Sequence, residues 1–356
     1  MRRAAALIVG GGPAGAAAAI GLARAGAMPL VIERSAGERG VVCGGFLGWD
    51  ALARLRQLGL DAAALGARPI HRLRLVAGDR VVERPLPKPA AGLSRRRLDA
   101  ALLGLAEAEG AAVLRGRAAR AAEGRQVRLD DGEEIAADAL FVATGKHELR
   151  GTARELGGRA VSVGLRAALP ASPALGRDLD GVIELHLYDG GYAGLLLQED
   201  GRVNLCLSVA QARLGGGRDA LLTALWGEAP RLADRVGPPP ADWEAIAGVP
   251  YGWRARLTQP QVYRVGDQAA VIASLAGDGI AIALASGIAA AQACLRGDGK
   301  GARDYQQAFA RRALRPVKAA EALRHMAEHR YERGAMIMLA RVGGLAGLAA
   351  RMTRIG

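Results

Sequence analysis

The run Ala4-Ala5-Ala6-Leu7-Ile8-Val9 passes straight into Gly10-Gly11-Gly12-Pro13-Ala14-Gly15, then into an alanine-rich stretch that stops at Gly26. Few folds accommodate that order. A short apolar run ending in glycine reads as a buried parallel strand. Pro13 suits the first turn of a helix, and Gly26 suits the residue just past its end. Met28–Ile32 supplies a second strand, closed by Glu33 and Arg34. This is a βαβ unit. Gly10, Gly12 and Gly15 have G-x-G-x-x-G spacing. The first allows a tight turn, the second lets backbone approach a pyrophosphate, and the third lets helix and strand pack closely. The helix N-terminus then offers N–H groups and a positive dipole to an anion, and Glu33 can accept from a ribose. The unit predicts a dinucleotide cofactor.

Composition removes other classes. A chain of 356 residues with 51% hydrophobic content is globular and long enough for two domains. Aromatics at 4% do not make a stacking platform for single-stranded nucleic acid. The net charge is +13, but the arginines are scattered and their longest run is Arg95-Arg96-Arg97. That pattern points away from nucleic acid. It would attract an anionic cofactor, an anionic substrate or an acidic lipid surface. Cys43, Cys206 and Cys294 are widely spaced, which fits neither a disulfide framework nor a metal site, and suits a reducing cytoplasm. Arg2-Arg3 followed by uncharged residues imitates a signal peptide, yet the strand, glycine turn and helix account for it. The apolar stretch from Gly334 to Ala350 contains Arg341 and reads as a packed helix rather than a span; lying flat on a membrane is the lesser alternative.

Strands of the nucleotide-binding kind are interrupted twice by alternating, hairpin-like sequence. Ile70–Leu86 turns at Ala77-Gly78-Asp79, and the residues from Val161 to Val209 turn at Asp189-Gly190-Gly191. The expected fold is α/β: a Rossmann-like domain with an inserted antiparallel β-sheet domain for the substrate, and C-terminal helices. The cofactor domain gathers 1–67, 92–150 and 255–300, the substrate domain 68–91 and 151–254, and the helices 301–356. Pro316 is expected to break the helical pattern that begins at Ala302.

A second glycine motif, Val265-Gly266-Asp267 through Gly277-Asp278-Gly279-Ile280, narrows the cofactor. With the first motif it resembles the flavoprotein family built on the para-hydroxybenzoate hydroxylase fold, which includes aromatic hydroxylases, flavin halogenases and geranylgeranyl reductases. The resemblance implies FAD. It implies that Asp267 holds the ribityl hydroxyls and that the turn at Gly277–Ile280 faces the pyrophosphate and flavin ring. Arg95-Arg96-Arg97-Leu98-Asp99 matches the family's R-x-x-L-D, with Arg95 on the FAD, and Ala119 falls at its adenine-side contact. Thr144, Gly145 and Arg150 lie where the family has D-G-x-x-S-x-x-R, with Thr144 in place of Asp and Glu148 in place of Ser. Ser274 stands where the family usually has Pro.

Val42-Cys43-Gly44-Gly45-Phe46 resembles the C-G-G segment of the geranylgeranyl-reductase branch, in which the Cys lies beside the flavin. Free cysteines are also often plain small hydrophobes. Tyr192 survives from that branch's Y-x-W-x-F-P signature. Cys43, Tyr192 and His186 are therefore the candidate catalytic residues. Alternation predicts that His186, Tyr188 and Tyr192 share one face. The expected activity is FAD-dependent redox chemistry on carbon–carbon bonds of an apolar lipid, isoprenoid or polyketide-like substrate. The alternative is an NAD(P)H-dependent monooxygenase. NAD(P)H would bind transiently, because no second G-x-G-x-x-G exists. A third reading, a basic surface-binding protein that holds FAD only structurally, lacks a cationic patch. Peripheral membrane contact is an expectation of the basic charge, and oligomeric state is open.

Overall fold

The computed structural model describes residues 2–37, 40–297, 301–342 and 344–356; the expected domain limits at residues 1 and 300 fall outside them. The first third runs β1 (Arg2–Val9), α1 (Pro13–Arg24), β2 (Leu30–Glu33), β3 (Phe46–Leu47), α2 (Trp49–Gln57), β4 (Arg68–Ala77), β5 (Arg80–Gly92) and α3 (Arg95–Ala108). Next come β6 (Ala112–Arg115), β7 (Ala119–Glu123), β8 (Gln126–Leu129), β9 (Glu134–Val142), β10 (Ser162–Leu169), α4 (Pro173–Asp178), β11 (Gly181–Tyr188), β12 (Gly191–Leu197) and β13 (Val203–Ala210). The chain continues through α5 (Gly217–Glu228), α6 (Pro230–Val236), β14 (Glu244–Val249), β15 (Val262–Arg264) and α7 (Gly279–Leu295). It ends in α8 (Gly301–Arg312), α9 (Leu314–Glu328), α10 (Arg330–Arg341) and α11 (Leu345–Met352).

Two sheets organise these elements. One has the order β6-β2-β1-β9-β8-β7, with β15 beside β9. Its β6, β2, β1, β9 and β15 pair in parallel, while β7 and β8 form an antiparallel flap. This is the nucleotide-binding layer. The apolar end of β1 is fully buried because α1 covers one face and the β7–β8 flap packs on the other. Small side chains set the helix spacing. A Cβ at Gly287 of α7 would fall 2.2 Å from the Ala14 carbonyl oxygen of α1. The alanines of the first motif are thus a close-packing surface.

The other sheet has the order β14-β10-β13-β12-β11-β4-β5-β3. It was expected to be antiparallel. Most of it is, but β11 and β4 pair in parallel. The β4–β5 hairpin and the β10–β14 segment are far apart in the chain, so no hairpin dictates their relative direction. β3 also joins this sheet, through Phe46 opposite Gly92. Its far face packs on α4, α5 and α6 through Val203, Leu205, Leu207 and their neighbours. Its near face meets the glycine loops. Pro316 does not break a helix. It sits in the first turn of α9, where its missing N–H costs nothing, and the interruption falls at Ala313.

Candidate functional site

The site is built where the glycine turns of the parallel sheet meet the near face of the larger sheet. Gly15 is required by contact: a Cβ there would lie 1.9 Å from the Gly10 carbonyl oxygen. Gly12 starts α1 without any side-chain cap, and Pro13 occupies the first turn, so the N–H groups of Ala14 and Gly15 are open to an anion. Glu33, at the end of β2, accepts from Gly11 N at 2.8 Å and Ser35 N at 2.8 Å. Each carboxylate oxygen retains a lone pair for a ribose hydroxyl. Arg34 reaches His147 Nε2 at 2.6 Å. Ala119 opens β7 just past Arg117, whose N–H donates to Glu33 O.

Arg95 begins α3, which Ser94 caps by accepting from Arg97 N. Its guanidinium is held by both oxygens of Asp99 at 2.7 Å and lies over the glycine turn, 3.4 Å from where a Gly12 Cβ would be. Burial works against its charge, but Asp99 and the Cys43 thiol hold its pKa above the ordinary value. Arg95, Cys43, Arg166 and Gln198 line a cavity of about 190 Å³. Cys43 is half-buried, and Gly45 N points at its Sγ from 3.5 Å. The Cys43-Gly44 turn is pinned by Asn204 of β13, whose Nδ2 donates to both carbonyls at 3.1 and 2.8 Å.

The second motif contributes the other wall. Gly266 N donates to Ser286 of α7 at 2.7 Å, and Gly266 packs on Ala14, so the two motifs touch. Asp267 pairs with Lys146 at 3.2 Å. That carboxylate holds the Lys146 pKa above its ordinary value, against the effect of burial. Thr144 donates to the His147 carbonyl at 2.7 Å, and Gly145 O accepts from Gln268. Arg154 binds Glu148, Lys146 O and Asp267 O, so this segment is closed on itself. Gly277 ends a short turn, and α7 starts after it with no side chain capping its first N–H groups, those of Gly279 and Ile280.

Asp278 contributes its backbone to this turn while its side chain is engaged elsewhere. Its carboxylate is buried against Arg354, whose guanidinium stacks 4.3 Å over Trp49. Burial pushes its pKa up to about 7 despite that arginine. Only its backbone, at the start of α7, stays at the loop.

The expectation for His186 and Tyr188 is corrected. The hairpin β11–β12 pairs Tyr188 with Gly191 and Leu187 with Tyr192, which puts Tyr192 on the opposite face. Alternation holds along one strand, and the turn between the two strands reset it. His186 is buried on the far face, 2.7 Å from Glu184 Oε1, in a cluster with Arg74 and Arg235. Tyr188 packs among the far-face core residues. Tyr192 alone of the three faces the loops.

There it belongs to a hydroxyl network that sequence reasoning missed. Tyr192 and Ser274 hydroxyls are in direct contact; Ser274 Oγ lies 2.7 Å from Tyr251 OH, which lies 3.3 Å from Ser208 Oγ. Burial, reinforced by Tyr251, keeps Tyr192 well above the ordinary tyrosine range, so it is a neutral phenol. Cys206, between Asn204 and Ser208 on the same face, is pushed up to about 12 by burial and by Cys43, and stays a thiol. Ser274, a departure in the sequence, is the hinge of this network. The signal was present only as that departure.

The donor set fits FAD. Open N–H groups, Arg95 and Lys146 suit the diphosphate, Glu33 suits the ribose, and Asp267 suits the ribityl hydroxyls. Gly287 lies beside Ala14, so α7 begins about 12 Å beyond the start of α1 at 1.5 Å per residue. The two open helix ends are therefore spaced along an elongated ligand. Residues 3–152 match the FAD binding domain family. The menaquinone reductase of Mycolicibacterium smegmatis is 30% identical over 333 residues, covering 86% of this chain and 79% of that protein. The chain belongs to this family of FAD-dependent oxidoreductases. Solved structures agree on the fold of the enzyme. A geranylgeranyl bacteriochlorophyll reductase-like protein from Thermoplasma acidophilum superposes with a TM-score of 0.77 at 18% identity, covering 98% of this chain and 96% of that one. A protein described as a probable FAD-dependent monooxygenase from Pseudomonas aeruginosa gives 0.70 at 20% identity, covering 95% and 100%. The flavoenzyme thus has the para-hydroxybenzoate hydroxylase fold.

Proposed function

We propose that this flavoenzyme reduces a carbon–carbon double bond in the apolar chain of a lipid quinone or related isoprenoid. The observation that carries the reading is the Tyr192–Ser274–Tyr251 hydroxyl network facing the flavin loops within apolar surroundings that include Leu185, Leu187, Leu196 and Leu275. The relative named menaquinone reductase supports it. Saturating a double bond adds a hydride to one carbon and a proton to the other. FAD, held by the glycine turns, Glu33 and Arg95, would supply the hydride equivalent, with electrons from an external donor such as NAD(P)H. The proton belongs to this chain's own groups. Tyr192 is neutral and can donate it, and Ser274 and Tyr251 can return it along existing hydrogen bonds. The apolar walls exclude water, and Asn204 fixes the Cys43 turn beside the reacting region. Cys43 serves in this reading as a packing and positioning group against Arg95.

The test is anaerobic turnover of the FAD-loaded, chemically reduced enzyme with menaquinone, followed by mass spectrometry. The expected product carries two more hydrogens in its side chain, both of them deuterium when the enzyme is reduced and turned over in D₂O, because the hydrogen on reduced flavin nitrogen exchanges with solvent. Stoichiometric oxygen consumption with a hydroxylated product would sink the reading in favour of the monooxygenase.

A further inference from the structure

We propose that α10 and α11 seat the protein on an anionic phospholipid surface. Most of the large apolar side chains exposed among the described residues fall between 331 and 352. Met338, Leu339, Val342, Leu345, Leu348 and Met352 are between 38% and 66% exposed. A soluble surface rarely gathers so many in one place without an occupant.

The geometry fits a surface and not a span. The helices have 12 and 8 residues and meet at 110°. The longer rises only about 18 Å, short of the roughly 30 Å hydrocarbon core. Among the described residues no single helix is long and apolar enough to cross a membrane. An amphipathic pair of this kind lies in the interface plane.

Charge selects the occupant. Of the five arginines between 330 and 356, Arg354 is buried on Asp278 and Arg333 pairs with Asp189, which leaves the exposed Arg330, Arg341 and Arg351 against one acid in that stretch, Glu332, which faces His325 at 3.3 Å. Arg341 and Arg351 are exposed beside the apolar residues. A second copy related by a two-fold axis would bring these arginines against each other. Anionic headgroups complement them. The inner face of α10 gives the contact a consequence. Ile337 and Ala340 pack into the same cluster as Tyr192 and Leu196. A membrane under α10 and α11 therefore lies one helix thickness from the proposed reacting region. The inference rests on this surface alone and stands whatever the substrate is.

The test is co-sedimentation of the FAD-loaded protein with vesicles of phosphatidylcholine, with and without phosphatidylglycerol. Binding is expected only when phosphatidylglycerol is present, and is expected to weaken as salt rises. Met338→Asp with Leu348→Asp should lower vesicle partitioning about tenfold or more. Arg341→Ala with Arg351→Ala should remove the salt-dependent part. Both double variants change exposed positions, and unaltered thermal melting and flavin content will show that they fold. Wild-type protein that stays in the supernatant would overturn the proposal. So would variants that sediment like wild type, or a solution dimer that the aspartates disrupt without any vesicle binding.

Discussion

At the residue scale, the groups that hold FAD and the groups that face its substrate differ in how they announce themselves. Gly15 is dictated by close approach and Glu33 by its place at the end of β2, so local spacing reveals them, whereas the role of Asp267 comes from the family resemblance. Ser274 is the opposite case. It reads as a missing proline, yet its hydroxyl joins two tyrosines from different strands and loops. Ser274→Ala should remove one hydrogen bond each from Tyr192 and Tyr251, with Ser208 still within reach of Tyr251, and cost about 1–3 kcal/mol, read from denaturant midpoints. The same variant should slow the protonation step while flavin content stays unchanged. Turnover equal to wild type would remove the network from the mechanism.

At the element scale, helix packing and strand pairing decide what each motif can do. α1 and α7 approach so closely that Gly287→Ala drives a methyl into the Ala14 carbonyl. An overpacking cost of about 1–3 kcal/mol is expected, with reduced FAD retention on gel filtration. The β11–β12 hairpin puts His186 behind the sheet, so His186→Gln should leave turnover within about twofold and lower stability instead. The cluster around it also sets an acid limit. Glu184 is buried, which alone would raise its pKa, but His186 and Arg74 draw it down to about 2 from an ordinary 4.5. Because the folded value is the lower one, the stabilisation is fully present above pH 4.5 and is lost as pH falls through 2. Denaturant unfolding followed through that window should show the loss, and Glu184→Gln should flatten it.

At the scale of the whole molecule, two sheets form one cofactor site from distant parts of the chain, so ligand and fold are linked. Stripping FAD should lower the melting temperature. Restoring it to about a hundred times its Kd should return roughly 2.7 kcal/mol. A melting temperature indifferent to FAD would contradict binding of FAD at this site. The division into a βαβ cofactor domain with an inserted sheet was legible in the sequence, because strand–glycine–helix order and hairpin alternation are local patterns. The parallel pairing of β11 with β4 was not, since nothing local joins those strands.

What the sequence determined by itself was therefore the set of short-range commitments: the glycine turns, the helix starts and the acid at the end of β2. Each is fixed by backbone sterics or by a ligand group within a few residues. The tertiary structure alone decided which tyrosine faces the flavin loops. It turned Asp278 to Arg354, joined Tyr192 to Tyr251 through Ser274, and left the outer face of α10 and α11 uncovered. These outcomes depend on strand register and on packing between segments far apart in the chain. A one-residue change of register reverses which side chains face the site.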